Sequence, residues 1–223
     1  SLDFILPSLA EKLLLSSSCF DMPMNRVVKK VAVLGSGVMG SRIACHLAGA
    51  GLEVLLLDQL TPDAQNSTSS TARNQLVNGA LQSAIKSNPS PVFTKEVIER
   101  ITTGNFTDDL TKIAQCDWII EVVIERLDIK QQLFTEVERY RKPGTLISSN
   151  TSGIPIQMMA EGRSADFKKH FCGTHFFNPP RYMHLVELIP TVSTHSQILD
   201  QLEGFLVTTL GKGVIRAIDT PNF

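Results

Sequence analysis

Short apolar runs alternate with amphipathic segments along most of the chain. The run over residues 31–34 ends in glycine, as a buried parallel strand often does. Over residues 38–50 the apolar positions, among them Ile43 and Leu47, recur at helical spacing until a glycine ends the pattern. A second apolar run, 53–58, closes on an acid. Strand, glycine turn, helix and strand therefore fit into about 30 residues, the size of a βαβ unit.

The rest of the chain continues this alternation. A polar segment over residues 61–91 surrounds a weakly amphipathic stretch, 76–85, and we interpret it as an excursion from the sheet rather than a second domain. The remaining predicted strands are at 118–123, 145–149, 171–177, 184–189 and 214–218, and the remaining predicted helices are at 127–140 and 198–210. This alternation predicts an α/β fold with a mostly parallel, doubly wound sheet.

Composition and charge narrow the class of protein. The 223 residues are 43% hydrophobic, which is enough to bury one large core. A formal net charge of -1 gives no broad basic field, so neither nucleic acid nor an anionic membrane is an expected partner. No apolar run reaches about 18 residues, so no transmembrane span is expected.

The cysteines and the first residues carry further expectations. The four cysteines lack the spacing of a metal site or a disulfide framework, which is typical of a reducing compartment, and we expect a cytoplasmic location and no metal. They are Cys19, Cys45, Cys116 and Cys172. Residues 1–24 contain interrupted apolar stretches without a basic region before them, and we interpret them as an extension ahead of one domain over 25–223.

A glycine motif opens the first predicted helix. It reads Gly35-Ser36-Gly37-Val38-Met39-Gly40, and Asp58 closes the second strand 18 residues after Gly40. The first glycine allows a tight turn, the second lets the backbone approach a pyrophosphate, and the third allows close packing of helix and strand. Amides at the helix start then meet the phosphates. Because an acid accepts hydrogen bonds from a ribose 2′-hydroxyl and repels a 2′-phosphate, Asp58 predicts NAD rather than NADP; a purely structural glycine turn is the alternative.

A histidine and a glutamate lie on two late strands joined by a short loop, residues 178–182. These strands are expected to run antiparallel as a hairpin, with Glu187 opposite His175 or on the same-face diagonal. A carboxylate in that place would fix the tautomer of the imidazole and stabilise its protonated form, as a general base requires. Taken alone, a histidine on an apolar strand such as His175 is more often a satisfied core residue than a catalyst, and Glu187 is equally compatible with a solvated acid at a strand end.

Several motifs make the sequence recognisable. Beside the glycine motif and Asp58 they are EVVIER at 121–126, SSNTS at 148–152, GTHFFNP at 173–179, Glu187 and DTP at 219–221. From about residue 29 to the end, this set resembles the L-3-hydroxyacyl-CoA dehydrogenase family. The resemblance implies a Rossmann-type fold with a late antiparallel strand, and an NAD-dependent oxidoreductase that converts L-3-hydroxyacyl-CoA to 3-ketoacyl-CoA in the beta-oxidation of fatty acids.

The resemblance also implies roles for single residues. His175 would take the proton of the substrate 3-hydroxyl, Glu187 would pair with it, and Ser152 would hydrogen-bond the substrate oxygen. Positions near the nicotinamide half of the cofactor would be Glu125, Lys130, Asn150 and Asn178. The pyrophosphate and the adenosine ribose would be held by Gly35, Gly37, Val38, Met39, Gly40 and Asp58.

Some parts that the resemblance implies are not in this sequence. Members of the family place a helical domain after the dinucleotide domain, and it supplies dimer contacts, part of the acyl-CoA cleft and a catalytic asparagine. We expect this domain to be absent from the 223 residues and the full-length protein to be a homodimer. Within the family, the sequence of these motifs resembles most that of long bacterial members that also include an enoyl-CoA hydratase. By analogy the 61–91 excursion would project toward CoA, with Arg73 and Lys86 as possible phosphate contacts, although such cations are usually solvated.

Two alternatives stay open. The first is a 3-hydroxybutyryl-CoA or another 3-hydroxy acid dehydrogenase, since nothing in this portion fixes acyl length. The second is a non-catalytic NAD-binding or structural relative, against which the intact His175, Glu187 and Ser152 argue.

Overall fold

A sheet of eight strands runs through the part of the chain that the computed structural model describes, residues 27–221. Its strands are β1 (Lys30–Leu34), β2 (Glu53–Asp58), β3 (Ile101–Asn105), β4 (Trp118–Glu121), β5 (Leu146–Ser149), β6 (Phe171–Phe176), β7 (Leu185–Pro190) and β8 (Gly213–Arg216). They lie in the order β3-β2-β1-β4-β5-β6-β7-β8. Every neighbouring pair is parallel except β6 and β7.

Helices connect the strands. The α-helices are α1 (Val38–Gly49), α2 (Ser70–Arg73), α3 (Gln75–Ile85), α4 (Phe106–Asp109), α5 (Leu127–Tyr140), α6 (Ile156–Met159), α7 (Ala165–Lys169) and α8 (Ser196–Thr208). Short 3₁₀ turns lie at Pro62–Ala64, Lys95–Arg100 and Leu110–Gln115.

The strand order reverses between β1 and β4. From β1 the chain leads outward to β2 and β3, and it then returns to place β4, β5 and β6 on the other side of β1. In open α/β sheets, ligands bind outside the carboxyl ends of the strands at such a reversal. The predicted doubly wound, mostly parallel sheet with a late antiparallel strand is therefore confirmed. By this rule a ligand is expected at the carboxyl ends of β1 and β4.

Burial on both faces explains why the central strands read as unbroken apolar runs. In β1, Val31 and Val33 belong to one core cluster, whereas Ala32 and Leu34 belong to the other. All four side chains are inaccessible to solvent. A strand covered on both sides needs apolar residues at every position rather than at alternate ones.

The predicted elements agree with the structure to within two residues at each end, but strand β3 and the short helices α2, α4, α6 and α7 were not predicted. The 61–91 segment is an excursion that contains α2 and α3 and no strand. Strand β3 was not predicted, because Ile-Thr-Thr-Gly-Asn has a single large apolar side chain and only its last two residues are buried. It lies at the edge of the sheet, where one-sided pairing replaces burial as the reason for a strand.

The predicted boundaries of the extension and of the domain are not tested by the structure. The predicted extension, residues 1–24, lies outside the described residues, and the single domain over 25–223 stays a prediction. Within residues 27–221, none of the helices combines the length and apolar character that crossing a bilayer requires. The cysteines at 45, 116 and 172 are free thiols buried in the protein.

Candidate active site

The glycine motif forms the turn between β1 and α1. Gly35 has φ +109°, a conformation that side chains rarely adopt, and a Cβ there would lie 2.6 Å from the carbonyl oxygen of Val122. A Cβ on Gly40 would collide with the carbonyl oxygen of Gly35. Gly37 has open space where a Cβ would be. Packing inside the protein therefore explains two of the glycines, whereas close approach of a ligand to Gly37 stays a prediction.

Helix α1 begins beside this turn without a side-chain cap. Gly37 occupies the N-cap position and, as a glycine, offers no side-chain acceptor to the first amides of the helix. The first turn, which includes Val38 and Met39, contains no acidic residue. Uncapped amides at the positive end of a helix dipole suit the phosphates of a dinucleotide.

The carboxylate of Asp58, at the end of β2, is bonded to the same turn. Its Oδ2 accepts a hydrogen bond from the backbone N–H of Ser36 at 2.6 Å and from the Ser36 hydroxyl at 2.5 Å. Its Oδ1 accepts one from the N–H of Gln59 at 2.7 Å. These bonds hold the acid in a fixed place beside the glycine turn.

A cleft of about 640 Å³ runs along this turn and Asp58. Apolar side chains that line it include Phe106, Leu110, Leu133 and Tyr140. An apolar slot next to an acid at the end of β2 fits an adenine base and its unphosphorylated ribose. The donor set of the turn and the acid at its side thus fit NAD.

His175 and Glu187 are direct partners in the antiparallel pair of β6 and β7. Nδ1 of His175 lies 2.8 Å from Oε2 of Glu187. The two side chains are 14% and 17% exposed, so the pair is shielded yet reachable from one side. The predicted hairpin and the placement of Glu187 opposite His175 are confirmed, and neither residue is the isolated core histidine or solvated acid of the alternative interpretation.

The exposed hydroxyl of Ser152 lies on the other side of the same imidazole, 3.2 Å from Nε2. An ionised carboxylate only accepts hydrogen bonds, so Glu187 requires the proton on Nδ1. Nε2 is then an acceptor, and the Ser152 hydroxyl donates to it. The three side chains present a base with a chosen tautomer and a neighbouring hydroxyl.

Glu125 holds the backbone around Ser152. Its Oε1 accepts a hydrogen bond from the Thr151 hydroxyl, and it accepts the N–H groups of Ser152 at 2.9 Å and Gly153 at 3.1 Å. Burial raises the pKa of Glu125, but these hydrogen bonds and the charge of Lys130 together outweigh it and leave that pKa below its usual range. Glu125 therefore stays ionised and fixes the loop that carries the serine.

Lys130 lies behind Glu125 in a buried network. Its ammonium is 2.7 Å from Oε1 of Glu121 and 3.3 Å from Oε2 of Glu125, and its side chain is 1% exposed. The Ser149 hydroxyl donates to the other oxygen of Glu121 at 2.5 Å. The predicted contact between Lys130 and a ribose stays a prediction; in the structure its charge serves the two carboxylates.

The two predicted asparagines occupy different environments. Asn150 is nearly buried, and its Oδ1 accepts the backbone N–H of Phe176 at 2.9 Å, which joins the end of β5 to the end of β6. Asn178 is exposed, and its Oδ1 accepts a hydrogen bond from Nη1 of Arg42 on α1 at 2.6 Å. Asn150 thus supports the strands below the site. Asn178 lies at the surface of the site, and Arg42 contacts its amide oxygen but not its amide nitrogen.

Arg73 has an internal role in the excursion. Its guanidinium donates to both oxygens of Asp108, at 2.6 and 2.8 Å, and to backbone carbonyls of the 64–67 segment. This arrangement leaves the predicted phosphate contact at Arg73 without support from the geometry. Lys86 is exposed at the end of α3.

Three residues around the site were given no individual role from the sequence, although Glu121 and Asp219 begin two of its recognisable motifs. Glu121, at the end of β4, is fully buried, and burial raises its pKa despite the bonds from Lys130 and Ser149. Arg42 bonds Asn178 from 136 residues away. Asp219, in the DTP motif, accepts the N–H groups of Ile156 and Gln157 at 2.6 and 2.8 Å. An acid closing a buried strand, as Glu121 does, was a usable signal, while the other two contacts have no local pattern.

Comparison with known proteins assigns the family. The family model described as "3-hydroxyacyl-CoA dehydrogenase, NAD binding domain" matches residues 30–220. The chain belongs to this family. The match runs from the start of β1 to Thr220, and so it includes the whole described sheet.

Relatives in this family are similar over most of the chain but are longer. A probable 3-hydroxyacyl-CoA dehydrogenase of Bacillus subtilis is 49% identical over 90% of this chain, which spans 26% of that protein. A putative fatty acid oxidation complex trifunctional enzyme of Rickettsia felis is 40% identical over 90% of the chain, which spans 27% of it. The crystal structure of 3-hydroxybutyryl-CoA dehydrogenase from Escherichia coli superposes with a TM-score of 0.70 at 32% identity, covering 89% of this chain and 40% of that one. The chain therefore spans about a quarter of the two longer relatives.

Proposed function

We propose that this domain, within its full-length protein, binds NAD and catalyses the oxidation of L-3-hydroxyacyl-CoA to 3-ketoacyl-CoA. The observation that carries the proposal is the imidazole of His175, held between Glu187 at 2.8 Å and Ser152 at 3.2 Å. An imidazole with one ring nitrogen held by a carboxylate and the other beside a hydroxyl is suited to removing a proton from an alcohol. Family membership shows the cofactor to be NAD, and it supports 3-hydroxyacyl-CoA as the substrate class.

The residues have separate tasks in this proposal. Nε2 of His175 accepts the proton of the 3-hydroxyl, and Glu187 stabilises the imidazolium that forms. Ser152, turned from Nε2 toward the substrate, donates to the same oxygen and keeps it in place while the carbonyl forms. Glu125 holds the loop of Ser152 in position through its two N–H contacts.

NAD fits the residues at the carboxyl ends of β1 and β2. The amides that follow Gly37 would meet its pyrophosphate, and Asp58 would accept from the adenosine ribose. The nicotinamide half would lie beside His175, and the residues that we propose to contact it or support its site are Glu125, Lys130, Asn150 and Asn178. When bound, NAD⁺ supplies the acceptor for the hydride that leaves C3.

Relatives named as trifunctional enzymes favour a place in fatty-acid oxidation. Accordingly we propose that the full-length protein acts in beta-oxidation beside other activities on the same acyl-CoA, an enoyl-CoA hydratase among them, and that it forms a homodimer. Preference for short chains is the second candidate, and it is favoured by the similarity to 3-hydroxybutyryl-CoA dehydrogenases.

The proposal is tested with the full-length protein. With acetoacetyl-CoA and NADH as substrates, turnover should be measurable as a loss of NADH absorbance. The variant His175→Ala should reduce kcat by about 10²–10⁴-fold while the Kd for NADH stays within about twofold. His184→Ala, at an exposed histidine, is the matched control. Saturable NADH binding without turnover by the wild-type protein would instead identify a non-catalytic relative.

A series of 3-ketoacyl-CoA substrates from four carbons upward then separates the two substrate ranges. A kcat/KM that falls steeply beyond four carbons would assign the short-chain activity. A flat or rising kcat/KM would assign the general beta-oxidation activity.

A further inference from the structure

A buried lysine holds the loop that connects the strands of His175 and Glu187. Lys212 is 5% exposed and lies just ahead of β8. Its ammonium donates to the carbonyl oxygen of Pro180 at 2.5 Å and to that of Met183 at 2.8 Å. The next residue, Gly213, donates its N–H to the carbonyl of His184 at 2.9 Å.

The charge of Lys212 has no acidic partner within residues 27–221, since the two carbonyls complete its contacts there. Burial accordingly lowers the pKa of its ammonium. Burying an unpaired charge is costly, and an aliphatic side chain would fill the same space without that cost. The two carbonyl contacts are therefore the reason for a lysine at this position.

The loop over residues 178–183 turns on itself and leaves these carbonyls for Lys212. The N–H groups of Tyr182 and Met183 both donate to the carbonyl of Pro179, at 2.9 and 3.0 Å. At its exposed side the Tyr182 hydroxyl donates to the carbonyl of Ser90 at 2.7 Å. Lys212 is the inner anchor of this turn, and the turn begins at Asn178.

We infer that Lys212 is a positioning residue for the dehydrogenase reaction: by holding the carbonyls of Pro180 and Met183, it fixes the placement of Asn178 and the approach of β6 to β7. The inference rests on the proposed function. A shift of about 1 Å in a positioned group costs up to about 10²-fold in rate, so loss of this anchor acts on turnover more than on cofactor binding.

The test uses three variants of the full-length protein. Lys212→Met keeps the length of the side chain and removes its donors, and Lys212→Gln keeps N–H donors without charge. Lys142→Met, at an exposed lysine in the turn before β5, is the control for loss of a lysine charge. For each variant we would measure Tm, the Kd for NADH, KM and kcat with acetoacetyl-CoA, and hydrogen exchange of the Tyr182 and Met183 amides.

Lys212→Met is expected to lower kcat about 10- to 100-fold with the Kd for NADH within about twofold, and to speed exchange of the two loop amides. Lys212→Gln should recover part of both. Unchanged kcat in a folded Lys212→Met protein overturns the inference, and so does a fall in Tm alone. If Lys212→Met does not fold, the same measurements are made on Lys212→Leu, which also lacks a donor, and wild-type kcat and exchange in that variant overturn the inference. Should the wild-type protein show no turnover, the proposed function fails, and the exchange rates still decide whether Lys212 anchors the loop.

Discussion

Nδ1 of His175 lies 2.8 Å from Oε2 of Glu187. The two residues are directly paired on β6 and β7, the only antiparallel neighbours in the sheet described over residues 27–221. The acid is held by the same hairpin that holds the base. The distance between them therefore depends on the pairing of β6 with β7.

Glu187→Gln keeps a similar shape and an oxygen that can accept from Nδ1, but it removes the negative charge that stabilises the imidazolium. We expect kcat in the full-length protein to fall by about 10²-fold or more, with NADH affinity unchanged. Steady-state kinetics beside Glu203→Gln, at an acid paired with Arg216 on the surface, provide the comparison. An unaltered kcat would show that the carboxylate has no part in the proton transfer.

Gly40→Ala should destabilise the fold and weaken NADH binding together. The new methyl group collides with the carbonyl of Gly35, and relieving that clash costs about 1–3 kcal/mol. Gly49→Ala, at the other end of α1, has open space around the new methyl and should stabilise by about 0.5–1 kcal/mol. Urea denaturation of both variants checks the pair, and equal effects would contradict the steric reason given for Gly40.

Asp58→Ala should weaken NADH binding by more than the loss of one ribose contact. The same carboxylate accepts both donors of Ser36, so its removal also frees the glycine turn. We expect the Kd for NADH to rise about tenfold or more, the equivalent of 1.4 kcal/mol. Fluorescence titration measures it, with Asp63→Ala at an exposed acid as control. Matching Kd values for the two variants would remove Asp58 from the cofactor site.

Asp219→Ala should lower the free energy of unfolding by about 1–2 kcal/mol. Its carboxylate accepts the first two N–H groups of α6, at 2.6 and 2.8 Å, as a cap supplied from 62 or more residues away. Asp219→Asn retains one acceptor and should recover part of the loss. Thermal or urea denaturation tests this, and a null effect would mean that the cap is replaced by water without cost.

Stability should decline between pH 7 and pH 5 because of His46. Burial foremost, with the charges of Lys212 and Arg181, lowers the pKa of His46 to about 3. The imidazole of His46 takes up a proton near pH 6.5 in the unfolded chain but only near pH 3 in the folded chain. Between these values the unfolded state binds more protons, so a fall in pH stabilises it relative to the folded state. The loss by pH 5 is about 2 kcal/mol.

The check on His46 is a comparison of denaturation curves at pH 7 and pH 5. His46→Leu removes the titrating group and should lose about 2 kcal/mol less than the wild-type protein over this interval. Identical losses in both proteins would show that His46 is protonated in the folded state.

The sequence by itself determined the elements whose side chains are buried regularly. The strands at 31–34 and 118–123 were recognisable because a parallel strand covered on both faces must be apolar at every position. The glycine turn was recognisable because steric needs at Gly35 and Gly40 leave no other residue type. The short loop also predicted an antiparallel hairpin with Glu187 either opposite His175 or on the diagonal, and the strand register of the structure places it opposite.

Only the tertiary structure decided which polar groups meet. Strand β3 forms from Thr, Gly and Asn because β2 offers it a partner, which local composition does not reveal. Lys130 reads as a surface residue of a helix, yet it is buried against Glu121 because α5 packs over the end of β4. Contacts such as Lys212 with Pro180 and Arg42 with Asn178 join residues 32 and 136 positions apart. Burial of a helix or strand requires apolar residues at regular positions, and this regularity can be recognised in the sequence. A hydrogen bond between distant segments requires only one donor and one acceptor, so it produces no sequence pattern.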